Sequence, residues 1–226
     1  MRQLGWAGPA PVRSVLAIGA HSDDIEIGCG GTILSLARSW PEARVYWLVL
    51  AAHGNRIDEA HRSAEAFLAD LSEPTVEILS RRDGYLPYEA SEVKDTFESL
   101  KTRIDPDLVF THTRDDLHQD HRLVCDLTSN TFRNHLVLEY EIPKYDGDLG
   151  RPNAFVALDD DVVTRKLELL QAHFGSQRSK DWFDDGVFRA VMRLRGMECR
   201  SPSGYAEGFT ARKLSIAVGD SRTVGV

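Results

Sequence analysis

Two short clusters of polar residues carry the side-chain types that chemistry needs, and the first is His21-Ser22-Asp23-Asp24. It directly follows the apolar run SVLAIGA, which is typical of a buried strand, so three ionisable groups stand at the end of that strand. Unpaired charge is costly there, and a divalent cation would compensate that cost; imidazole and carboxylate are common zinc ligands. His21 and Asp24 are three positions apart, so one tight turn can direct both towards a single ion. Asp23 lies between them and could act as general base on a water that the ion makes acidic.

The second cluster is His118-Gln119-Asp120-His121, which comes soon after the apolar segment 108–111. His121 would supply the third zinc ligand that the first cluster lacks. His118 would then lie beside the ion, where it could stabilise an oxyanion or protonate a leaving amine. Asp120 could hydrogen-bond to an imidazole and fix its tautomer. Taken alone, each cluster also fits a polar loop before a helix, with aspartates as helix caps.

The elements that must position these clusters alternate along the chain. Continuous apolar runs of strand length predict strands over 14–20, 44–52, 75–79, 108–111, 136–142 and 154–158. Helical spacing predicts helices over 33–40, 58–71, 89–104, 122–133 and 160–174, whereas 195–226 shows no clear pattern. This alternation predicts an α/β fold: a three-layer, mostly parallel, Rossmann-like sheet with helices on both faces. Ligands of such sheets bind beyond the carboxyl ends of the strands, and both clusters follow predicted strands.

The glycines of Gly28-Cys29-Gly30-Gly31 invite comparison with a dinucleotide-binding loop. That fingerprint is G-x-G-x-x-G and opens directly after the strand, whereas these glycines come only after the polar cluster. We therefore expect them to let the backbone turn tightly around a metal loop. Cys29 is expected to fill a small buried space rather than to bind the ion.

Bulk composition narrows the class of protein. A chain of 226 residues with 42% hydrophobic residues fits one domain, 1–226, with its core at about 14–210. The net charge of -8 disfavours nucleic acid as a partner. Three widely spaced cysteines form no disulfide or zinc-knuckle pattern, and no run is apolar enough to span a membrane. These features predict a cytoplasmic protein without a membrane partner.

The two clusters resemble motifs of the LmbE-like / PIG-L family of zinc-dependent N-acetylglucosaminyl deacetylases. The family's Ala-His-Pro-Asp-Asp motif with its glycine-rich turn stands here as AHSDDIEIGCGG, and its His-Pro-Asp-His motif as HQDH. Serine and glutamine therefore replace two prolines that would stiffen the turns. The resemblance spans about 14–210 through four further landmarks: Arg62-Ser-Ala-Glu65 for an Arg-x-x-Glu helix, Asp83-Gly84, Ser176-Gln177 and Ala206-Glu207-Gly208-Phe209.

The resemblance implies an enzyme that removes an N-acetyl group from an N-acetylglucosamine-type sugar or conjugate. It implies one Zn²⁺ per chain, and assembly into homo-oligomers is common in the family. Three sets of residues follow from it: zinc ligands His21, Asp24 and His121; catalytic groups Asp23, His118 and Asp120; and sugar-binding residues Arg62 and Asp83. Glu26 and Glu207 match family positions as structural partners of the metal loop.

Three other functions remain open at this point. One is an amidase of the same fold that acts on a larger N-acyl group or a thiol conjugate. Another is a metal-dependent phosphoesterase, although two-metal sites need more bridging carboxylates than the clusters offer. The last is a non-catalytic nucleotide-binding α/β module.

Overall fold

The six apolar runs form six strands of one seven-stranded sheet. A computed structural model describes residues 12–215, so 1–11 and 216–226 of the predicted domain lie outside the described residues. The strands are β1 (Ser14–His21), β2 (Arg44–Ala51), β3 (Thr75–Ile78), β4 (Leu108–His112), β5 (Leu136–Tyr140), β6 (Ala154–Leu158) and β7 (Tyr205–Thr210). Their order across the sheet is β3-β2-β1-β4-β5-β7-β6. The first five are mutually parallel, and β7 runs antiparallel to both β5 and β6.

Helices cover both faces of this sheet. They are α1 (Asp24–Ser39), α2 (Asn55–Phe67), α3 (Ala90–Arg103), α4 (Gln119–Thr131), α5 (Asp160–His173) and α6 (Asp185–Cys199). Alternate residues of β1 enter two separate cores. Val15 and Ala17 pack with the apolar sides of α1 and α5, whereas Leu16 and Ile18 pack with those of α3 and α4. The predicted α/β class with helices on both sides is confirmed. No helix in the stretch 12–215 is long and apolar enough to cross a membrane.

The glycine-rich segment lies inside α1, so the prediction of a tight turn there was wrong. A Cβ atom on Gly28 would meet the Tyr140 ring at 2.2 Å, and one on Gly30 would meet Phe67 at 2.6 Å. Gly31 is similarly confined, with Leu158 at 2.7 Å. The glycines therefore let α1 approach its neighbours closely, which fixes the helix that begins at the first polar cluster.

The prediction missed α6 and β7, and β7 makes the sheet mixed rather than parallel. Its central residue Glu207 is buried and reaches into α1, where its carboxylate accepts from the backbone N of Gly31 and Thr32 at 2.8 and 2.7 Å. Lys166 of α5 completes the arrangement, since its Nζ lies 2.7 Å from Glu207 and 2.6 Å from the carbonyl of Ile27. A buried ion pair thus holds α1 against both neighbouring elements, as expected for Glu207.

Candidate active site

The two polar clusters meet in a cleft at the carboxyl ends of β1 and β4. Its volume is about 320 Å³. The cleft is lined by residues from six loops or helix ends: His21, Asp23, Asp24, Arg56, Asp83, His118, His121, Ile142, Lys144, Tyr145, Asp146, Gln177, Lys180 and Trp182. A larger cavity of about 710 Å³ lies at the opposite, amino edge of the sheet. In the described chain, the groups of histidine and aspartate that could hold a metal lie in or beside the smaller cleft.

His21, Asp24 and His121 bring their ligand atoms together at the base of this cleft. Nδ1 of His21 lies 3.1 Å from Nε2 of His121 and 3.3 Å from Oδ2 of Asp24. Nε2 of His121 lies 3.5 Å from Oδ1 of Asp24. Tetrahedral zinc with bonds of about 2.0–2.1 Å separates its ligand atoms by about 3.3–3.4 Å, so these three side chains fit such an ion.

The charge states of Asp24 and His121 suit a metal, whereas His21 must lose a proton to bind one. Burial would lower the pKa of His21, but the charge of Asp24 and hydrogen bonds to Asp120, Asp24 and Asp83 raise it well above its usual range. Burial would raise the pKa of Asp24, but the imidazoles of His121, His112 and His21 hold it well below its usual range. Burial lowers the pKa of His121 to about 4, and the neighbouring His112 adds to that effect. Asp24 is therefore a carboxylate and His121 a neutral imidazole, and these are the forms that bind metals.

Each proposed histidine ligand is oriented by a buried aspartate. Nδ1 of His121 lies 2.9 Å from Oδ2 of Asp116, and Nε2 of His21 lies 3.1 Å from Oδ2 of Asp120. Both contacts leave the second ring nitrogen facing the other ligands, which is how carboxylates commonly fix metal-bound histidines. Asp120 was predicted to hydrogen-bond to an imidazole, and the imidazole that its carboxylate contacts is that of His21. Asp116 was missed, although it stands only two residues before His118.

His118 lies beside this group at the start of α4. Its ring centroid is 4.8 Å from that of His21 and 4.6 Å from that of His121. Its Nδ1 accepts from the backbone N of Asp120 at 3.3 Å. Burial, followed by the charge of His21, lowers the pKa of His118, so a neutral ring with its proton on Nε2 is favoured.

His112, the last residue of β4, packs directly beneath the proposed ligands. Its ring stacks on His121 with centroids 3.8 Å apart, and its Nε2 lies 3.2 Å from Oδ2 of Asp24. With Asp24 and His121 it forms one of three sets of groups close enough to share an ion; the other two are His21, His118 and His121, and His21, Asp83 and Asp120. However, Nε2 of His112 also accepts from the backbone N of Ala20 at 3.0 Å. That bond to β1 favours a packing role beneath the site.

Asp23 is held by an arginine that the sequence analysis passed over. Oδ1 of Asp23 accepts from Nη2 of Arg56 at 2.6 Å, while Oδ2 is buried without a hydrogen-bond partner among the described residues. Burial raises the pKa of Asp23, and the charge of Arg56 opposes that effect without cancelling it. One oxygen is thus fixed in place, and the other is buried without a partner in a residue that lines the cleft.

The structure places the two predicted sugar-binding residues differently. Asp83 lines the cleft, where its Oδ1 lies 3.1 Å from Nε2 of His21, a contact that lowers the pKa of Asp83 to about 2. Arg62 is exposed outside the cleft, and its Nε donates to the carbonyl of Asp58 in its own helix.

The Arg-x-x-Glu spacing occurs twice on α2, as Arg56-Ile-Asp-Glu59 and as Arg62-Ser-Ala-Glu65. The earlier copy is the one at the site. Its glutamate accepts from Oγ of Ser176 at 2.6 Å and from the backbone N of Ser176 at 2.9 Å. Glu59 thereby positions Gln177, which lines the cleft and donates to Oγ of Ser176 at 2.9 Å.

Known proteins share both the sequence pattern and the fold. An uncharacterised deacetylase of Escherichia coli K12, YaiS, is 27% identical over 168 residues, which cover 71% of this chain and 90% of YaiS. Among solved structures, the N,N'-diacetylchitobiose deacetylase of Pyrococcus horikoshii has a TM-score of 0.66 at 22% identity, covering 88% of this chain and 83% of the other.

The 4-carboxy-2-hydroxymuconate hydratase GalB of Pseudomonas putida KT2440 has a TM-score of 0.71 at 18% identity, covering 92% of this chain and all of its own. The fold therefore does not decide the reaction by itself. The family pattern described as PIG-L, GlcNAc-PI de-N-acetylase, matches residues 16–132, just over half of the chain and including both polar clusters. The chain belongs to the PIG-L (LmbE-like) deacetylase family.

Proposed function

We propose that the protein is a zinc-dependent hydrolase that removes the N-acetyl group from an N-acetylglucosamine-type sugar or sugar conjugate. The observation that carries this proposal is the convergence of His21, Asp24 and His121 within 3.1–3.5 Å at the base of a cleft. Family membership and the acetylated-sugar relative from Pyrococcus horikoshii support the same reaction class. These three side chains would hold one Zn²⁺ per chain.

Zinc would supply Lewis acidity, which makes water a better nucleophile near neutral pH and polarises an amide carbonyl. Asp23 is placed to take the proton that this water loses. Its unpartnered Oδ2 is the accepting atom, and Arg56 keeps the carboxylate from rotating away. Because burial raises the pKa of Asp23, the carboxylate is a stronger base there than an exposed aspartate would be.

His118 would stabilise the negative charge that develops on the acetyl oxygen. Its neutral ring, with Nδ1 accepting from the backbone, has an Nε2–H available to donate to that oxygen. As Asp23 takes its proton, the water oxygen would bond to the acetyl carbon; the carbon–nitrogen bond then breaks, and Asp23 returns that proton to the leaving amine. The products are acetic acid, which ionises to acetate in solution, and a sugar with a free amino group.

The direct test is to load the purified protein with zinc and measure acetate and free amine across a panel of N-acetylated sugars. We expect both products in equal amounts and about one zinc per chain. If no acetate is released, a second panel with larger N-acyl groups and thiol conjugates tests the amidase alternative. Phosphate release from phosphate monoesters, with two metals per chain, would favour the phosphoesterase.

Matched variants test the roles of Asp23 and Arg56. Asp23→Asn should keep zinc but lower kcat by about 10²–10⁴-fold, the usual contribution of a general base. Arg56→Met should also lower kcat, whereas Arg62→Met on the same helix should leave it unchanged. Near-normal turnover by zinc-loaded Asp23→Asn would contradict the assignment of the base.

A further inference from the structure

The start of α4 binds both backbone polar groups of one glycine in the β3 loop, where each loop is named after the strand that it follows. Oδ2 of Asp120 accepts from the backbone N of Gly84 at 2.7 Å, and Nε2 of Gln119 donates to the carbonyl oxygen of Gly84 at 2.5 Å. Oδ1 of Asp120 also accepts from the backbone N of Leu86 at 3.2 Å. We call this arrangement the Gly84 clamp. Two consecutive side chains thus attach the β3 loop to the helix that carries His121.

The residue before Gly84 is the one that reaches the cleft. Oδ1 of Asp83 lies 3.1 Å from Nε2 of His21, and the Asp83 side chain is 56% exposed. Its other oxygen has no hydrogen-bond partner among the described residues, so it can accept from a hydroxyl group of a bound sugar. Gly84 has a φ of +78°, a conformation that favours glycine. The position of Asp83 therefore depends on how firmly this turn is held.

The backbone at Gln119 would accept the proline that the family's motif has at this position. Gln119 is the first residue of α4, where a backbone N–H has no partner within the helix and proline is favoured. His118 has a φ of -73° and a ψ of 125°, the extended conformation that a following proline requires. Gln119 is exposed, so its side chain contributes the bond to Gly84 rather than buried packing. Proline would keep the helix start and remove that bond.

We propose that Gln119 is a positioning residue, which acts through the Gly84 clamp to hold Asp83 in the cleft for contact with the substrate. This inference rests on the proposed function, which makes that substrate an N-acetylated sugar. Asp120 holds the peptide before Gly84, whereas Gln119 holds the peptide after it. Among the described residues, the latter peptide is otherwise held by a bond within the turn, from the backbone N of Tyr85 to the Arg82 carbonyl at 3.2 Å. Gln119 therefore supplies the contact between that side of the turn and α4.

The test removes the Gln119 bond in two ways and measures acetate release by the zinc-loaded protein. Gln119→Pro keeps the helix start, and Gln119→Met keeps a long side chain without a donor. The substrate is N-acetylglucosamine, or the panel sugar that releases acetate fastest if N-acetylglucosamine does not react. In both variants, we expect KM to rise about 3–10-fold, the effect of one ordinary hydrogen bond, with kcat changed by less than about twofold. Zinc content should match that of the wild type, and Gln119→Pro should be no less stable in urea.

A double-mutant cycle shows whether Gln119 acts through Asp83. Asp83→Ala should raise KM, and adding Gln119→Pro should change KM no further, because the residue that the clamp positions is already absent. Gln171→Met is the matched control, since Gln171 donates to Oδ1 of Asp185 at 2.9 Å and does not line the cleft; its KM should be that of the wild type. Wild-type KM in Asp83→Ala or in either Gln119 variant would overturn the inference. A further rise of about twofold or more in the double variant would also overturn it.

Hydrogen exchange separates the inference from the proposed function. The backbone N–H groups of Gly84 and Leu86 both donate to Asp120, so their exchange rates, measured by NMR, report how firmly the clamp holds the loop. We expect both to exchange faster in Gln119→Pro than in wild type. Faster exchange in a protein that releases no acetate from any sugar of the panel would support the clamp and overturn the proposed deacetylation. Unchanged exchange would overturn the clamp, whether or not acetate is released.

Discussion

Replacing Asp120 with asparagine should weaken zinc binding without changing any proposed ligand. The buried carboxylate of Asp120 accepts from Gly84 N at 2.7 Å and from Leu86 N at 3.2 Å, and it contacts Nε2 of His21 at 3.1 Å. Asparagine has the same shape but only one oxygen, so its amide nitrogen must face either the N–H of Leu86, or both the N–H of Gly84 and the imidazole of His21.

The structure sets the size of both expected effects. At least one buried N–H loses its acceptor in Asp120→Asn, which should lower the free energy of unfolding by about 1–3 kcal/mol. The orientation and basicity of His21 also depend on the carboxylate, so zinc affinity should fall by about 10–100-fold. Asp83 also contacts Nε2 of His21, but its side chain is 56% exposed, and this contact should compensate only in part.

Two measurements separate these effects. Urea unfolding of the metal-free protein gives the change in stability, and competition with a chromophoric chelator at low urea gives the zinc affinity. Asp115→Asn is the matched control, because Asp115 has the same side chain, lies in the loop just before α4 and is exposed. Wild-type zinc affinity in folded Asp120→Asn would refute the view that this carboxylate positions a zinc ligand.

Three further outcomes are expected. Lys166→Met should lower the free energy of unfolding in urea by about 3–5 kcal/mol, because it leaves Glu207 buried without its cation; a loss below about 1 kcal/mol would contradict this account. Gly28→Ala should lower stability by about 1–3 kcal/mol because the new methyl group overlaps Tyr140, whereas Gly150→Ala meets nothing within 4 Å and should be neutral. Zinc at 100 times its Kd should add about 2.7 kcal/mol and raise Tm by about 5–11 °C over chelator-treated protein, as measured by calorimetry.

The α/β class was predictable because the inner strands are buried on both faces. β1, β2 and β4 therefore appear in the sequence as unbroken apolar runs, and their predicted bounds agree with the structure within one residue. β7 has no such run. Gly208 in this strand is confined by Pro152 and Arg195, and Glu207 is paired with Lys166 of a distant helix, so its residues are chosen by tertiary contacts that leave no local pattern.

At the beginning of α1 a local pattern was present, but it predicted the wrong structure. Glycine is a poor helix former, so three glycines predicted a turn and placed the start of the helix at residue 33. The helix begins instead at Asp24 and includes all three. Close packing against Tyr140, Phe67 and Leu158 outweighs the propensity cost, and only the folded neighbours reveal that requirement.

The sequence could predict site residues of ligand-forming type that directly follow a predicted strand. It could not predict the residues that hydrogen-bond to them from elsewhere in the chain. The sequence predicted that His21, Asp24 and His121 lie together because both clusters follow predicted strands, and these two strands are neighbours in the sheet. Arg56 and Asp116 act through side chains already assigned, one on Asp23 and the other on His121. Their sequence signals, a repeated Arg-x-x-Glu spacing and an aspartate five residues before a histidine, are too common to interpret without coordinates.

Because a hydratase shares this sheet, the choice of reaction must depend on the loops at its carboxyl edge rather than on the strands. In this chain those loops are linked through the proposed ligands themselves. Asp120 connects His21 to the backbone of the β3 loop, while Asp116 connects His121 to Lys144 of the β5 loop at 2.9 Å. A substrate group that displaces either loop would therefore also move one of the proposed histidine ligands. If these ligands hold zinc, loop exchanges between relatives should alter zinc affinity together with substrate choice.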